Sequence, residues 1–254
     1  MTPPPVPRYN VLGVGVSALA FDQAVDLILG ARGQLKAGYL CLCTAHGLEL
    51  ASRDPGLRTA FNGSWLSTPD GMPVVWLGPK GVERVYGPDL LLTVCDRGRP
   101  MGLRHFFYGG KPGVAQELAA RLLSRFPGLV VAGCHTPGFG ELDHLELVSL
   151  QEEVREARPD IIWVGLGTPK QERFMAGAGS TLDTGLLIGI GAAFDFHSGR
   201  LPQAPRWMQR SGLEWFFRLC TEPRRLSGRY VIGNARFVAK VAAQKMGLLK
   251  YPPA

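Results

Sequence analysis

A chain of 254 residues, 46% hydrophobic and 19% charged, is long enough to bury a full core and has the balance of a globular protein, which excludes a disordered chain. No stretch approaches the ~20 apolar residues of a membrane-spanning helix. The net charge of +7 is unevenly placed: residues 200–254 hold eleven basic and two acidic groups (+9), and residues 1–199 hold seventeen and nineteen (−2). Such asymmetry points to a polyanionic partner: nucleic acid, an anionic membrane surface or a phosphorylated substrate.

In chain order, the proline-rich start MTPPPVPRYN lacks the apolar core of a signal peptide, so a cytoplasmic chain is expected. YNVLGVGVSAL reads as a strand, and FDQAVDLILGAR as an amphipathic helix with apolar residues at 21, 24, 25, 28 and 29. GYLCLCTAHG reads as a second strand ending at Thr44, and LELASRDPGLRTAFNGS as a helix broken near Pro55. WLSTPDG is a third strand that stops at Asp70. LRHFFYGGKPGVAQELAARLLSRFP is a strand, a Gly-Gly turn and a helix with Pro112 in its first turn. LVVAGCHTPGFG is a strand and loop, LELVSLQEEVREARP a helix, and DIIWVGLGTPKQERFM a strand, turn and helix. TGLLIGIGAAFDFHSG holds the last strand, and from Gly199 the pattern turns basic and helical. The alternation predicts an α/β fold, a mostly parallel sheet covered on both faces, as a body over 1–199 with a basic, aromatic-rich helical appendage over 200–254. Ligands bind such sheets at the carboxyl ends of the strands, where Thr44, Asp70, Gly109, Gly110, Gly167, Thr168 and Asp195 fall.

The five cysteines form no CxxC pair and lie in or beside apolar segments, as reduced buried thiols do. The five histidines show no HxxxH or HxH spacing, and no metal cluster is read. FYGGKPG (107–113) has the form of a phosphate-cradling turn before a helix, although it lacks the Walker A pattern and serves equally as a packing turn. GVGVS lacks the third glycine of a dinucleotide fingerprint. Asp70, at a strand end before a glycine, suits either a general base or an Asx-turn or N-cap. Gly87-Pro88 reads as a turn, and ahead of it Arg84 either pairs with Glu83 on the surface or reaches a phosphate. In the tail, Trp207, Trp215, Phe216, Phe217, Tyr230 and Phe237 interleave with Arg218, Arg224, Arg225, Arg229 and Arg236. That mix suits an interfacial helix, rings docked on the body, or nucleic-acid stacking.

Taken together, TPDGMPVVW, ERVYGPDLL, FYGG, GLGTPKQERFM, GIGAAFDFHSG and GLEWFFRLCTEPRRL resemble, in order from about Tyr9 to the end, the signatures of the WecG/TagA/CpsF glycosyltransferases. The resemblance implies a Rossmann-like fold and a metal-independent, inverting transfer. The donor would be a UDP-sugar, carrying N-acetylmannosamine or a related hexose, and the acceptor a sugar on a polyprenyl diphosphate, in cell-surface polysaccharide synthesis. It implies Asp70 as the base, and Thr44, His46, Arg84, Gly109, Gly110, Gln171, Arg218, Arg225 and Arg229 as substrate contacts. His46 stands where relatives usually have asparagine, and Gly228 where an arginine is often found. A peripheral place on the inner, anionic face of the cell membrane follows, with no nucleic acid as partner; a homo-oligomer stays open. The other classes weighed are a non-catalytic sugar-nucleotide-binding protein and a nucleic-acid-binding protein acting through the tail. No DxD metal motif occurs; Glu141 and Asp143 come nearest in spacing and are read as caps of the following helix.

Overall fold

The computed structural model describes residues 6–33, 38–138, 144–178, 181–182 and 185–252. Glu141 and Asp143 therefore lie outside the described residues. The chain opens with β1 (Arg8–Val11) and β2 (Val14–Ser17), followed by α1 (Phe21–Gly30) and β3 (Gly38–Cys43). Next come α2 (Ala45–Ala51), α3 (Pro55–Asn62), β4 (Leu66–Pro69), α4 (Met72–Val75) and α5 (Gly87–Gly98). The third group is β5 (Arg104–Gly109), α6 (Val114–Arg125), β6 (Val130–His135), α7 (His144–Ala157), β7 (Ile161–Gly165), α8 (Lys170–Ala178) and β8 (Leu186–Gly189). The described residues end in α9 (Ala193–His197), α10 (Arg206–Arg210), α11 (Glu214–Thr221), α12 (Pro223–Ser227) and, after a π-helical turn at Gly228–Ile232, α13 (Gly233–Lys245).

Six strands form one parallel sheet in the order β4-β3-β8-β7-β5-β6, the expected α/β architecture of Rossmann-like type. Side chains alternate across it. Leu40 and Leu42 of β3 enter one apolar layer with α1, α5 and α6; Tyr39, Cys41 and Cys43 enter the other with α2, α3 and α8. α2, α3 and α8, which follow β3 and β7, pack on one face together with Val74 of α4, and α5, α6 and α9 pack on the other. Neighbouring strands thus send their chains apart at the carboxyl edge, which opens a crevice there.

Three local readings need correction. YNVLGVGVSAL is not one strand but an antiparallel hairpin outside the main sheet, with Leu12 and Gly13 at φ of 54° and 88° in its two-residue turn. Asn62 pins it to α3, donating to Gly13 O at 2.9 Å and accepting from Gly15 N at 3.0 Å. Gly87-Pro88 is not merely a turn but the start of α5, whose Leu90, Leu91 and Val94 are buried. Pro112 precedes α6 rather than sitting in its first turn, because Gly113, at φ 84°, takes the N-cap.

The basic tail is seated on the body at several places. Phe237 of α13 is buried in the core layer with Leu48 and Phe61, and Lys240 reaches the buried Glu49 of α2 at 3.1 Å. Elsewhere Glu214 of α11 meets Arg84 at 2.6 Å and Arg206 of α10 meets Asp89 at 2.6 Å. Among the tail aromatics Tyr230 and Phe237 are buried, whereas Trp207, Trp215 and Phe216 are exposed. The tail rings therefore divide between docking on the body and facing outward. No helix among the described residues is long and apolar enough to cross a membrane.

Candidate active site

A cavity of about 700 Å³ opens at the carboxyl edge of the sheet. It gathers Thr44, Asp70, Gly110, Gln171, Arg218 and Arg225 from six separate stretches of the chain. His46, Arg84 and Gly109 are not in its lining; the side chain of Arg229 lies outside what the structure describes.

Each position follows from local chemistry. Thr44 follows β3 in extended conformation and caps α2, its hydroxyl accepting from Gly47 N at 3.1 Å. His46, two residues on, is partly buried beneath Gly233 of α13. Gly109, the last residue of β5, has φ 121°, and a Cβ there would stand 2.7 Å from the carbonyl carbon of Gly165. Its lack of a side chain lets β5 and β7 approach, while Gly110 faces the cleft.

The turn GLGTPKQERFM leaves β7 and enters α8 at the cleft floor. Gln171 is buried, accepting from Gly167 N at 3.2 Å and donating to Glu172 at 3.1 Å. Glu172, fully buried, also accepts from the Thr168 hydroxyl at 2.9 Å, and the exposed Arg173 pairs with Asp54 of the α3 cap. Gln171 therefore fixes the turn from inside while lining the cleft, and Glu172 and Arg173 brace it from either side.

Asp70 follows β4, with its amide bonded to Cys43 O at 3.0 Å. Its carboxylate does not cap α4, whose N-cap is Gly71 with no side-chain bond. Instead Oδ1 accepts from Gly87 N at the start of α5, at 3.4 Å, and stands 3.8 Å from Arg84 Nη2. Arg84 does not pair with Glu83, which accepts from Phe21 N at 3.0 Å. It donates to the Asp70 carbonyl, to Gln209 O at 3.1 Å and to Glu214, and lies 4.0 Å over the Tyr86 ring. The Asp70 side chain is 16% exposed, open to the cleft but stripped of most of its water. That burial pushes its pKa up to about 6, against the pull of Arg84 and with some help from Glu214. A carboxyl in that range can accept and hold a proton near neutrality.

The same cavity is also lined by cations. Lys111 from the turn after β5, Arg218 from α11 and Arg225 from α12 line it with Asp195 of α9 among them. Burial raises the pKa of Asp195, and Lys111 and Arg225 act against the rise. The Arg218 guanidinium lies 5.5 Å from the Phe196 ring centre, and its buried Nε meets no hydrogen-bond partner among the described residues. Among these residues no group of three or more His, Cys, Asp or Glu side chains is placed to hold a metal ion.

Sequence reasoning missed Glu214 and Lys111. Glu214 counted only as one of two acids in a basic tail, and nothing local shows that it returns to Arg84, 130 positions away. Lys111 was legible as the cation of the Gly-Gly turn.

A parallel sheet with a cleft at its carboxyl edge, lined by a largely buried carboxylate and by cations, has the form of an α/β enzyme site. The chain belongs to the glycosyl transferase WecG/TagA/CpsF family, whose model matches residues 9–251. It is 31% identical over 179 residues, 69% of this chain and 68% of the relative, to the N-acetylglucosaminyldiphosphoundecaprenol N-acetyl-beta-D-mannosaminyltransferase of Bacillus spizizenii. To the protein of the same name from Bacillus subtilis it is 30% identical over the same shares. The chain is a glycosyltransferase.

Proposed function

We propose that the enzyme moves a sugar, N-acetylmannosamine or a related hexose, from a UDP-sugar to a saccharide carried on a polyprenyl diphosphate, with inversion. The observation that carries this reading is the presence in one cavity of Asp70, whose burial raises its pKa to about 6, together with Lys111, Arg218 and Arg225. Asp70 takes the proton of the acceptor hydroxyl as its oxygen attacks the anomeric carbon. The bond from that carbon to the diphosphate oxygen breaks on the opposite face, and the electron pair leaves with UDP. In this reading Lys111, Arg218 and Arg225, which line the cavity, and the Gly110 turn meet the growing diphosphate charge, and no divalent ion is needed. The names of the two Bacillus relatives support the acceptor class and the sugar.

Donor choice is tested by thermal unfolding against a panel of UDP-sugars. The expected result is a rise in melting temperature with UDP-N-acetylmannosamine or a close relative, amounting to about 2.7 kcal/mol at a hundred times Kd. No protection by any UDP-sugar would contradict the reading.

The outward-facing rings and arginines support a peripheral seat on an anionic membrane. Trp207, Phe216, Val231, Ile232 and Val238 are each about half exposed or more, and Arg224 and Arg236 are exposed beside them in sequence. Each such cation near an anionic surface contributes about 1 kcal/mol, so changing both Arg224 and Arg236 to Gln should weaken binding to phosphatidylglycerol vesicles about 30-fold. Neither lines the cleft. Retention on DNA with no binding to vesicles would favour the nucleic-acid alternative instead.

A further inference from the structure

Arg84 stands between two carboxylates and favours one of them. Its Nη2 is 2.6 Å from Glu214 Oε2 and 3.8 Å from Asp70 Oδ1, although both partners lie within reach of a single guanidinium nitrogen. The preference is built by the surroundings of Glu214. Its second oxygen accepts from the Tyr86 hydroxyl at 3.0 Å, and that hydroxyl accepts from Gln203 Nε2 at 3.1 Å. Gln209 O takes Nη1 at 3.1 Å, the Asp70 carbonyl takes Nε, and the Tyr86 ring lies under the guanidinium plane. Arg84 is thus held on every side with its charge-assisted bond committed to Glu214.

We propose that Glu214 is a positioning residue that holds Arg84 off Asp70 and so keeps Asp70 a competent base. The proposal rests on the reading of Asp70 as the base. A guanidinium in bidentate contact with Asp70 would hold it as a carboxylate too well paired to take a proton. With Glu214 as the competing acceptor, the Arg84 contact to Asp70 stays long, and one carboxylate oxygen is left for the acceptor hydroxyl. The charged and titratable groups facing Asp70 are Arg84 and Tyr86 ahead of α5, Glu214 and Arg218 on α11, and the buried Cys43 thiol of β3. Removing the charge of Glu214 takes away a repulsion and frees Arg84, and both changes draw the proton off Asp70.

The test is a titration of Asp70 followed by carbon-13 carboxyl resonance, its signal identified by its loss in Asp70→Asn, together with the pH profile of kcat/KM. In Glu214→Gln the Asp70 midpoint and the acid limb of kcat/KM should both move down by about one pH unit, and the plateau rate should fall about tenfold. In Glu214→Asp, which keeps the charge, the midpoint should stay near that of the wild type and the rate should recover in part. A Glu214→Gln enzyme with a lower rate and an unmoved Asp70 midpoint would overturn the proposal, as would one with neither changed. A wild-type acid limb that fails to follow the Asp70 signal would instead show the reading of Asp70 as base to be wrong. Should Glu214→Gln not fold, Tyr86→Phe, which removes the second support of Glu214, should lower the midpoint in the same direction; an unmoved midpoint there overturns the proposal.

Discussion

Asp70→Asn should lower turnover at saturating substrate by about 10²–10⁴-fold, the usual contribution of a general base, and leave donor binding in place. Its effect on stability has a definite sign. Asp70 binds its proton more tightly in the folded chain, with a pKa of about 6 against 3.8 for an ordinary Asp. The ionised fold therefore carries a penalty that is absent below the ordinary value, grows as pH rises, and is complete above about pH 6. Asn has no charge to bury, so the variant should melt no lower than the wild type at neutral pH. The same proton sets the pH profile: kcat/KM should fall as pH drops through about 6, not through the ordinary carboxylate range. A variant that unfolds at neutral pH would mark Asp70 as a structural residue; near wild-type turnover would remove it from the chemistry.

Arg218→Gln should cost the second largest effect. Its guanidinium lies over Phe196 in the cation-lined cavity, with Nε buried and without a hydrogen-bond partner among the described residues. Losing one preorganised donor to a developing oxyanion typically lowers kcat about 10²–10³-fold. The side chain joins no described ion pair that the change would orphan, so the melting temperature should shift by less than about two degrees. If UDP-sugar affinity and kcat both stay within twofold of wild type, the diphosphate does not sit against these cations.

Most of the sheet was legible because strands such as β3, β7 and β8 carry an apolar run ended by a turn glycine or a capping residue, although β4 reads Leu-Ser-Thr-Pro. Ile161–Val164 and Leu186–Gly189 are buried on both faces, and such strands declare themselves by composition. The N-terminal hairpin was not legible, since its turn puts Leu12 at positive φ where an Asn-Gly pair would have signalled the reversal. The start of α5 was hidden because Gly87-Pro88 is at once a turn signal and a legitimate first turn of a helix. At the site, Gln171, at the start of α8, came only from the family resemblance, whereas Asp70 and Thr44 could be placed at strand ends by local pattern alone. The partner of Arg84 could not, because Glu83 is its neighbour in sequence and Glu214 its neighbour in space. The roles of His46 and Gly109 differ from the rest for a similar reason: one lies under α13 and the other against the backbone of β7, and both contacts are long-range.

The most direct test of the account is the transfer reaction with and without the Asp70 carboxylate. Purified enzyme is given UDP-N-acetylmannosamine and a short-chain lipid diphosphate bearing N-acetylglucosamine, and the product is isolated for proton resonance of its new anomeric centre. The account predicts one sugar added per UDP released, at a centre inverted relative to the donor, and transfer lowered about 10²–10⁴-fold with Asp70→Asn. A product of retained configuration, or undiminished transfer by the Asn variant, would contradict it.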